Sequence, residues 1–215
     1  CKELEKNTDN DVINQFLLET NIPIISEENK QLDYSIRKTW NKCWIVDPLD
    51  GTMNYTRGVP ACCTSVALWE DDQPVLGVIY DFMHDDKYVG LASKDIASLN
   101  GEPIHVSSVD RTNKAVLATG FPTGMAYDEN SLRQYVRQLQ SVKKKRLIGS
   151  AALSLALVAA GSFEAYMEDS IWLWDVAAGL ALVKAAGGDI SWDLPNADWQ
   201  TNVVATNGRI NLIDG

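Results

Sequence analysis

The run Trp44-Ile45-Val46-Asp47-Pro48-Leu49-Asp50-Gly51-Thr52 carries an apolar, strand-forming stretch into two carboxylates three residues apart. The Pro48-Leu49 step is read as the turn that ends the strand, with Gly51-Thr52 opening a helix. A site of this kind can hold a cation and an anion together. Asp47 and Asp50 offer hard oxygen ligands suited to Mg²⁺. The backbone N–H groups after Asp50, at the positive end of a helix dipole, can hold a phosphate. The same pattern also reads as an Asx turn, with Asp50 capping a helix and Asp47 solvated. Two further segments bring carboxylates to element ends: Ser26-Glu27-Glu28 after an apolar run, and Trp174-Asp175 before the apolar stretch Val176 to Ala186. Glu28 reads as a solvated neighbour of Glu27.

The elements that must position these groups follow from residue type and punctuation. Stretches rich in β-branched and aromatic residues predict strands at Ile22–Ile25, Trp44–Asp47, Cys62–Trp69, Pro74–Tyr80 and Lys87–Ala92. The polar turn Glu70-Asp71-Asp72-Gln73 makes the third and fourth a hairpin, and Asn100-Gly101 is a turn before a strand at Ile104–Val106. Further along, the chain alternates. Strands are expected at Ala115–Thr119, Phe163–Met167, Asp189–Ser191 and Val203–Thr206, and helices at Asp128–Ser141, Ser150–Ala160 and Trp174–Ala186. Gly161 and Gly187-Gly188 stop the last two helices. No repeat and no Pro/Gly/Ser-rich linker divides the chain. This mixture predicts an α/β (α+β) layered sandwich of alternating helix and sheet layers. Halves 1–120 and 121–215 are expected to form one compact unit with the active site between them.

The 215 residues are 46% hydrophobic, enough for a substantial core. With 19 basic against 29 acidic residues the formal charge is −10, which opposes binding to nucleic-acid backbones or anionic membranes. The longest apolar run, Ala151 to Ala160, is far shorter than the roughly 20 residues that span a bilayer. Lys2, Glu3, Glu5 and Lys6 occupy positions that a signal peptide would keep apolar. The four cysteines, with Cys62 and Cys63 adjacent, have neither zinc-site nor disulfide-framework spacing, so a reducing, cytoplasmic setting is expected. Plain readings cover the rest: Trp44, Trp172 and Trp174 as packing, His84 and His105 as isolated, Lys143 to Arg146 as a solvated basic face.

Taken together, three blocks resemble the inositol monophosphatase-like superfamily of metal-dependent, lithium-sensitive phosphomonoesterases. They are Ser26-Glu27-Glu28, Asp47-Pro48-Leu49-Asp50-Gly51-Thr52, and Trp174-Asp175-Val176-Ala177-Ala178-Gly179 followed by Ala186-Gly187-Gly188. Leu99 to Ile104, Ala118 to Pro122 and Gly149 to Leu153 also look like family segments, so the likeness runs from about Pro23 to Gly188.

The resemblance implies that Glu27, Asp47, Asp50, Asp175 and the Leu49 carbonyl bind two or three Mg²⁺ ions. It implies that Glu27, Asp47 and Thr52 act in catalysis, with Thr52 and Glu27 orienting the attacking water and Thr52 also supporting its helix start through its hydroxyl. Gly51 and Thr52 would hold phosphate oxygens, Ser150 and Ala151 would face the substrate, and Glu168 would hydrogen-bond its hydroxyls. The expected activity is hydrolysis of inositol monophosphate or a similar polyol phosphate, with a small-molecule phosphate ester as the partner. Family members are often dimers, which makes a homodimer an expectation.

Asn54-Tyr55 favours the inositol monophosphatase branch, whereas Ile22 to Glu28 and Ile36 to Trp40 look like the 3′(2′),5′-bisphosphate nucleotidase branch. From another class, a non-catalytic regulatory protein that retains the fold is the alternative. The chain is short before Glu27 relative to the family. The family's Thr-x-x-Asp element has its nearest match at Thr8-Asp9, too close to Glu27 for Asp9 to be assigned to the site.

Overall fold

A computed structural model describes residues 13, 15, 17–29, 39–121 and 129–212. Thr8-Asp9, Ile36 to Lys38, Pro122 and Asp128 lie outside these residues.

Alternation builds the first sheet. In β3 (Cys63–Glu70) every second residue is buried, and β4 (Gln73–Asp81) follows after an Asp71-Asp72 turn. Both turn residues have positive φ, 49° and 61°, the left-handed pair that a two-residue hairpin favours. Seven strands lie side by side in chain order: β1 (Ile24–Ser26), β2 (Lys42–Asp50), β3, β4, β5 (Asp86–Leu91), β6 (Ile96–Leu99) and β7 (Glu102–Pro103). Only β1–β2 is parallel. A short helix, α1 (Thr52–Arg57), leaves the end of β2.

The second sheet has the order β11-β12-β10-β8-β9. It is formed by β8 (Val116–Thr119), β9 (Lys144–Arg146), β10 (Ala165–Trp172), β11 (Asp189–Trp192) and β12 (Gln200–Thr206). Amphipathic α2 (Glu129–Ser141) turns Tyr135 and Leu139 onto a cluster that includes Leu117, Ala165 and Met167.

Two helices are apolar on nearly all sides and are buried accordingly: α3 (Ala151–Ala159) and α4 (Leu173–Ala185). They pack on each other and on strands of both sheets, giving a stack of sheet, helix pair, sheet and α2. This is the alternation of helix and sheet layers that the sequence predicts. The backbone of α4 lies directly on the first sheet. A Cβ added to Gly77 would sit 2.1 Å from the Ala178 carbonyl oxygen, and one added to Gly90 would sit 2.6 Å from Leu182 Cα.

Several local expectations change. The basic run is largely exposed, as a solvated face should be, but its residues Lys144–Arg146 also form β9, an edge strand whose lysines suit a border that must not pair further. Residues 104–106 do not form the expected strand. Ile104 donates to Ala97, and Val106 then donates to the Ala186 carbonyl at the end of α4, so the chain crosses to the helix layer. His84 is not isolated, since its Nδ1 lies 2.7 Å from Asp81 Oδ2. Among the described residues no helix is long and apolar enough to cross a membrane.

Because the Gly77 contact is with backbone, it has little room to relax. Gly77→Ala is expected to lower unfolding free energy by about 1–3 kcal/mol, read from the midpoint of urea denaturation.

Candidate functional site

The strand expected to end at Asp47 continues to Asp50. Asp47 pairs with Ser65 and Asp50 with Cys63, so β2 advances three residues while β3 advances two. The extra residue is a bulge. In a regular strand, positions three apart face opposite sides of the sheet. The bulge restores the match, and Asp47 and Asp50 reach the same place. Pro48 suits this irregular step because it has no N–H to offer the ladder, and the Thr64 hydroxyl donates to its carbonyl at 2.9 Å.

The third carboxylate comes from Asp175, in the first turn of α4. One oxygen from each of Asp47, Asp50 and Asp175 lies within 4.8 Å of the others. Asp47 and Asp50 are buried. Burial pushes the Asp50 carboxyl up to about 6, against donation from Ser150 and from the N–H groups of Ala152, Ala151 and Gly51. Burial also pushes Asp175 well above the ordinary carboxylate range, helped by the negative charges of Asp50, Asp47 and Glu27 and by a hydrogen bond with Asp47. Glu27, half-buried in the turn Glu27–Asn29 after β1, therefore acts on this cluster from its edge. Glu28 is exposed.

Around the cluster, polar groups fix one another. Asp47 Oδ1 accepts the Leu49 N–H at 3.0 Å. The Thr52 hydroxyl does not cap its helix as expected. Gly51 occupies the N-cap with φ 80°, Thr52 is already the first helical residue, and its Oγ1 donates to the Leu49 carbonyl at 2.9 Å. A carbonyl oxygen has two lone pairs, so this bond orients Leu49 and leaves it able to serve as a ligand.

Asp50 joins the site to the second half of the chain. Its Oδ2 accepts from the Ser150 hydroxyl at 2.6 Å and from the Ala152 N–H at 2.8 Å, placing a carboxylate at the N-terminus of α3. Asp50 thus does cap a helix, as the Asx reading allowed, but one that begins 100 residues later in the chain. Ser150 is the N-cap of α3 and also accepts the Leu153 N–H at 3.2 Å. Its hydroxyl donates to Asp50 and accepts from Leu153, and the residue lines the adjoining cavity together with Ala151.

That cavity, about 240 Å³, is bordered by Asp50, Asp175, Ser150, Ala151, Thr119 and Glu168 among others. Glu168 is half-buried in β10, and burial raises its carboxyl to about 6 while the Tyr166 hydroxyl, 2.7 Å from Oε2, lowers it. All the residues nominated from sequence are therefore in or beside one region, with Glu27 at its margin. Sequence reading missed Tyr166, whose signal was its place two residues before Glu168 on a strand, hence on the same face. It also missed the bonds made by Asn54, whose Nδ2 donates to the carbonyls of Ala61 and Ile148, both at 2.8 Å, and of Gly149 at 3.3 Å. A lone amide in a short helix gave no sign of these distant acceptors. Cys63 Sγ lies 3.9 Å from Asp50 Oδ2, and burial raises its thiol well above the usual range, which leaves it unreactive.

The donor set is all oxygen: three clustered carboxylates with a carbonyl fixed beside them, chemistry that fits a hard divalent cation. Two results should follow. Unfolded Asp50 loses its proton near 3.8 and folded Asp50 near 6, so between these values the folded state holds more protons and stability falls as pH rises. The raised Asp175 extends the decline upward. Thermal melts of metal-free protein should show this slope, and Mg²⁺ should flatten it. Asp50→Asn should keep the fold, since the amide oxygen can still accept from Ser150 and Ala152, yet lose most of the Mg²⁺-induced rise in Tm.

A sequence model of the Inositol monophosphatase family matches residues 3–207. The chain is 36% identical over 194 residues to the inositol-1-monophosphatase of Synechocystis sp., covering 87% of this chain and 65% of the relative. It is 40% identical over 156 residues to the Nus factor SuhB of Xylella fastidiosa, covering 72% of this chain and 56% of that protein. Among solved structures, the inositol monophosphatase from Anabaena (Nostoc) sp. PCC 7120 aligns with a TM-score of 0.72 at 36% identity, over 80% of this chain and 72% of the other. The chain thus spans between half and two thirds of the length of the two curated relatives. With a carboxylate cluster formed by the end of β2 and the start of α4, and a family match across nearly its whole length, the chain belongs to the inositol monophosphatase family.

Proposed function

We propose that the protein is a Mg²⁺-dependent phosphomonoesterase that hydrolyses inositol monophosphate or a similar polyol phosphate. The observation that carries this reading is the convergence of Asp47, Asp50 and Asp175 beside a polar cavity that also contains Glu168. Relatives named as inositol monophosphatases agree with it. Asp47, Asp50, Asp175, Glu27 and the Leu49 carbonyl are the proposed Mg²⁺ ligands, for two or three ions. Bound Mg²⁺ supplies Lewis acidity, neutralising charge on the phosphoryl oxygens and lowering the pKa of a water.

The chain's own groups do the rest. Glu27 and Thr52 orient the water in line with the phosphorus. The backbone N–H groups of Gly51 and Thr52, and the N-terminus of α3 at Ala151, hold phosphate and substrate oxygens. Glu168 accepts a hydroxyl of the polyol. Ligands and substrate contacts come from halves 1–120 and 121–215, so the reaction is assigned to the space between them.

The relative named as a Nus factor supports a second reading, a non-catalytic regulatory protein that keeps this fold. A turnover panel separates the readings. Inositol 1-phosphate should be hydrolysed with Mg²⁺, not without it, and Li⁺ should inhibit. Faster turnover of adenosine 3′,5′-bisphosphate would instead mark a bisphosphate nucleotidase, and no Mg²⁺-dependent turnover of either would favour the non-catalytic role.

A further inference from the structure

Glu168 is held in a way that its proposed contact with a hydroxyl does not explain. Tyr166 is 1% exposed, and its phenol points along the strand to Glu168 Oε2 at 2.7 Å. Burial and the neighbouring carboxylate push the phenol well above its ordinary range, so it stays a donor. The carboxylate also lies against Gly120, where an added Cβ would come within 2.2 Å of both its oxygens. The Gly120 carbonyl is fixed in turn by the hydroxyls of Tyr135 at 3.0 Å and Thr119 at 3.2 Å. One carboxylate oxygen is thus occupied, the other has no hydrogen-bond partner among the described residues, and the group borders the cavity.

We infer that Tyr166 is a specificity-determining positioning residue: by engaging Oε2 it fixes Glu168 with Oε1 as a single acceptor, selecting phosphate esters that carry a hydroxyl near the ester. A carboxylate free to rotate can be satisfied by water or by either oxygen, which weakens the preference for a donor at one place. With one oxygen committed to a buried phenol, a substrate lacking that hydroxyl leaves Oε1 desolvated and unpaired, and such a mismatch discriminates strongly. The phenol also stabilises the ionised form, which accepts but does not donate.

This inference rests on the polyol phosphate reading, and two esters keep the two apart. KM and kcat are measured with Mg²⁺ for inositol 1-phosphate and for p-nitrophenyl phosphate, which has no such hydroxyl. Tyr166→Phe keeps the ring and removes only the donor. The expected result is a KM for inositol 1-phosphate raised about tenfold, the scale of one lost charge-assisted hydrogen bond. The KM for p-nitrophenyl phosphate and both kcat values should change by less than about twofold. Adding Glu168→Gln to Tyr166→Phe should cost little more than Glu168→Gln alone, because both act through one contact.

Equal KM changes for the two esters, or fully additive effects of the two substitutions, would overturn the inference while leaving the phosphatase reading intact. A parent protein that hydrolyses p-nitrophenyl phosphate but not inositol 1-phosphate would overturn the polyol reading and this inference together. If Tyr166→Phe melts well below the parent, Gly120→Ala, whose methyl group would displace the Glu168 carboxylate, must reproduce the same substrate-dependent split for the inference to stand.

Discussion

Three carboxylates drawn together away from water repel one another, and most of the architecture around them can be read as the means of tolerating that repulsion. Burial raises the proton affinities of Asp50 and Asp175, and the neighbouring carboxylates raise that of Asp175 further. What offsets the cost is dipolar. Asp50 sits on the N-terminus of α3, Asp175 lies in the first turn of α4, and Asp47 accepts a backbone N–H from Leu49. The helices that supply these dipoles are apolar almost throughout, so their burial between the sheets is driven by the hydrophobic effect and their polar ends are delivered as a by-product. Stability and site assembly are thus two results of one packing event.

The same arrangement fixes distances across the molecule. Glycine on β4 and β5 lets the α4 backbone rest on the first sheet, so Asp175 arrives at a height set by backbone contact, where longer side chains would leave slack. Asn54 ties α1 to the turn before α3, bridging residues 54 and 148 through one amide. The Thr52 hydroxyl bonds to the Leu49 carbonyl and the Ser150 hydroxyl to the Asp50 carboxylate, so each holds a group of the site in place. These contacts tie the groups around the carboxylate cluster to one another.

Much of this was legible in the sequence, and the limits have physical causes. Alternation made the β3–β4 hairpin plain, and continuous apolar stretches with glycine stops revealed α3 and α4. The carboxylate blocks stood out because acidic residues at the ends of apolar elements are costly unless used. β9 was hidden because Lys144–Arg146 has the composition of solvated surface, and only a sheet border makes lysine a reasonable strand residue. The hydrogen bonds made by Ser150, Asn54 and Thr52 were not foreseen because each depends on an acceptor whose position is set by the fold, in two cases about a hundred residues away.

The bulge at the end of β2 has a meaning for how this chain can change over time. It settles a question of parity: whether an odd or even number of steps separates two side chains that must face the same way. Amino-acid replacements leave parity alone. Losing or gaining one codon between them reverses it and turns one carboxylate to the opposite side of the sheet. A length change of three nucleotides there would undo the site as surely as replacing one of the carboxylates.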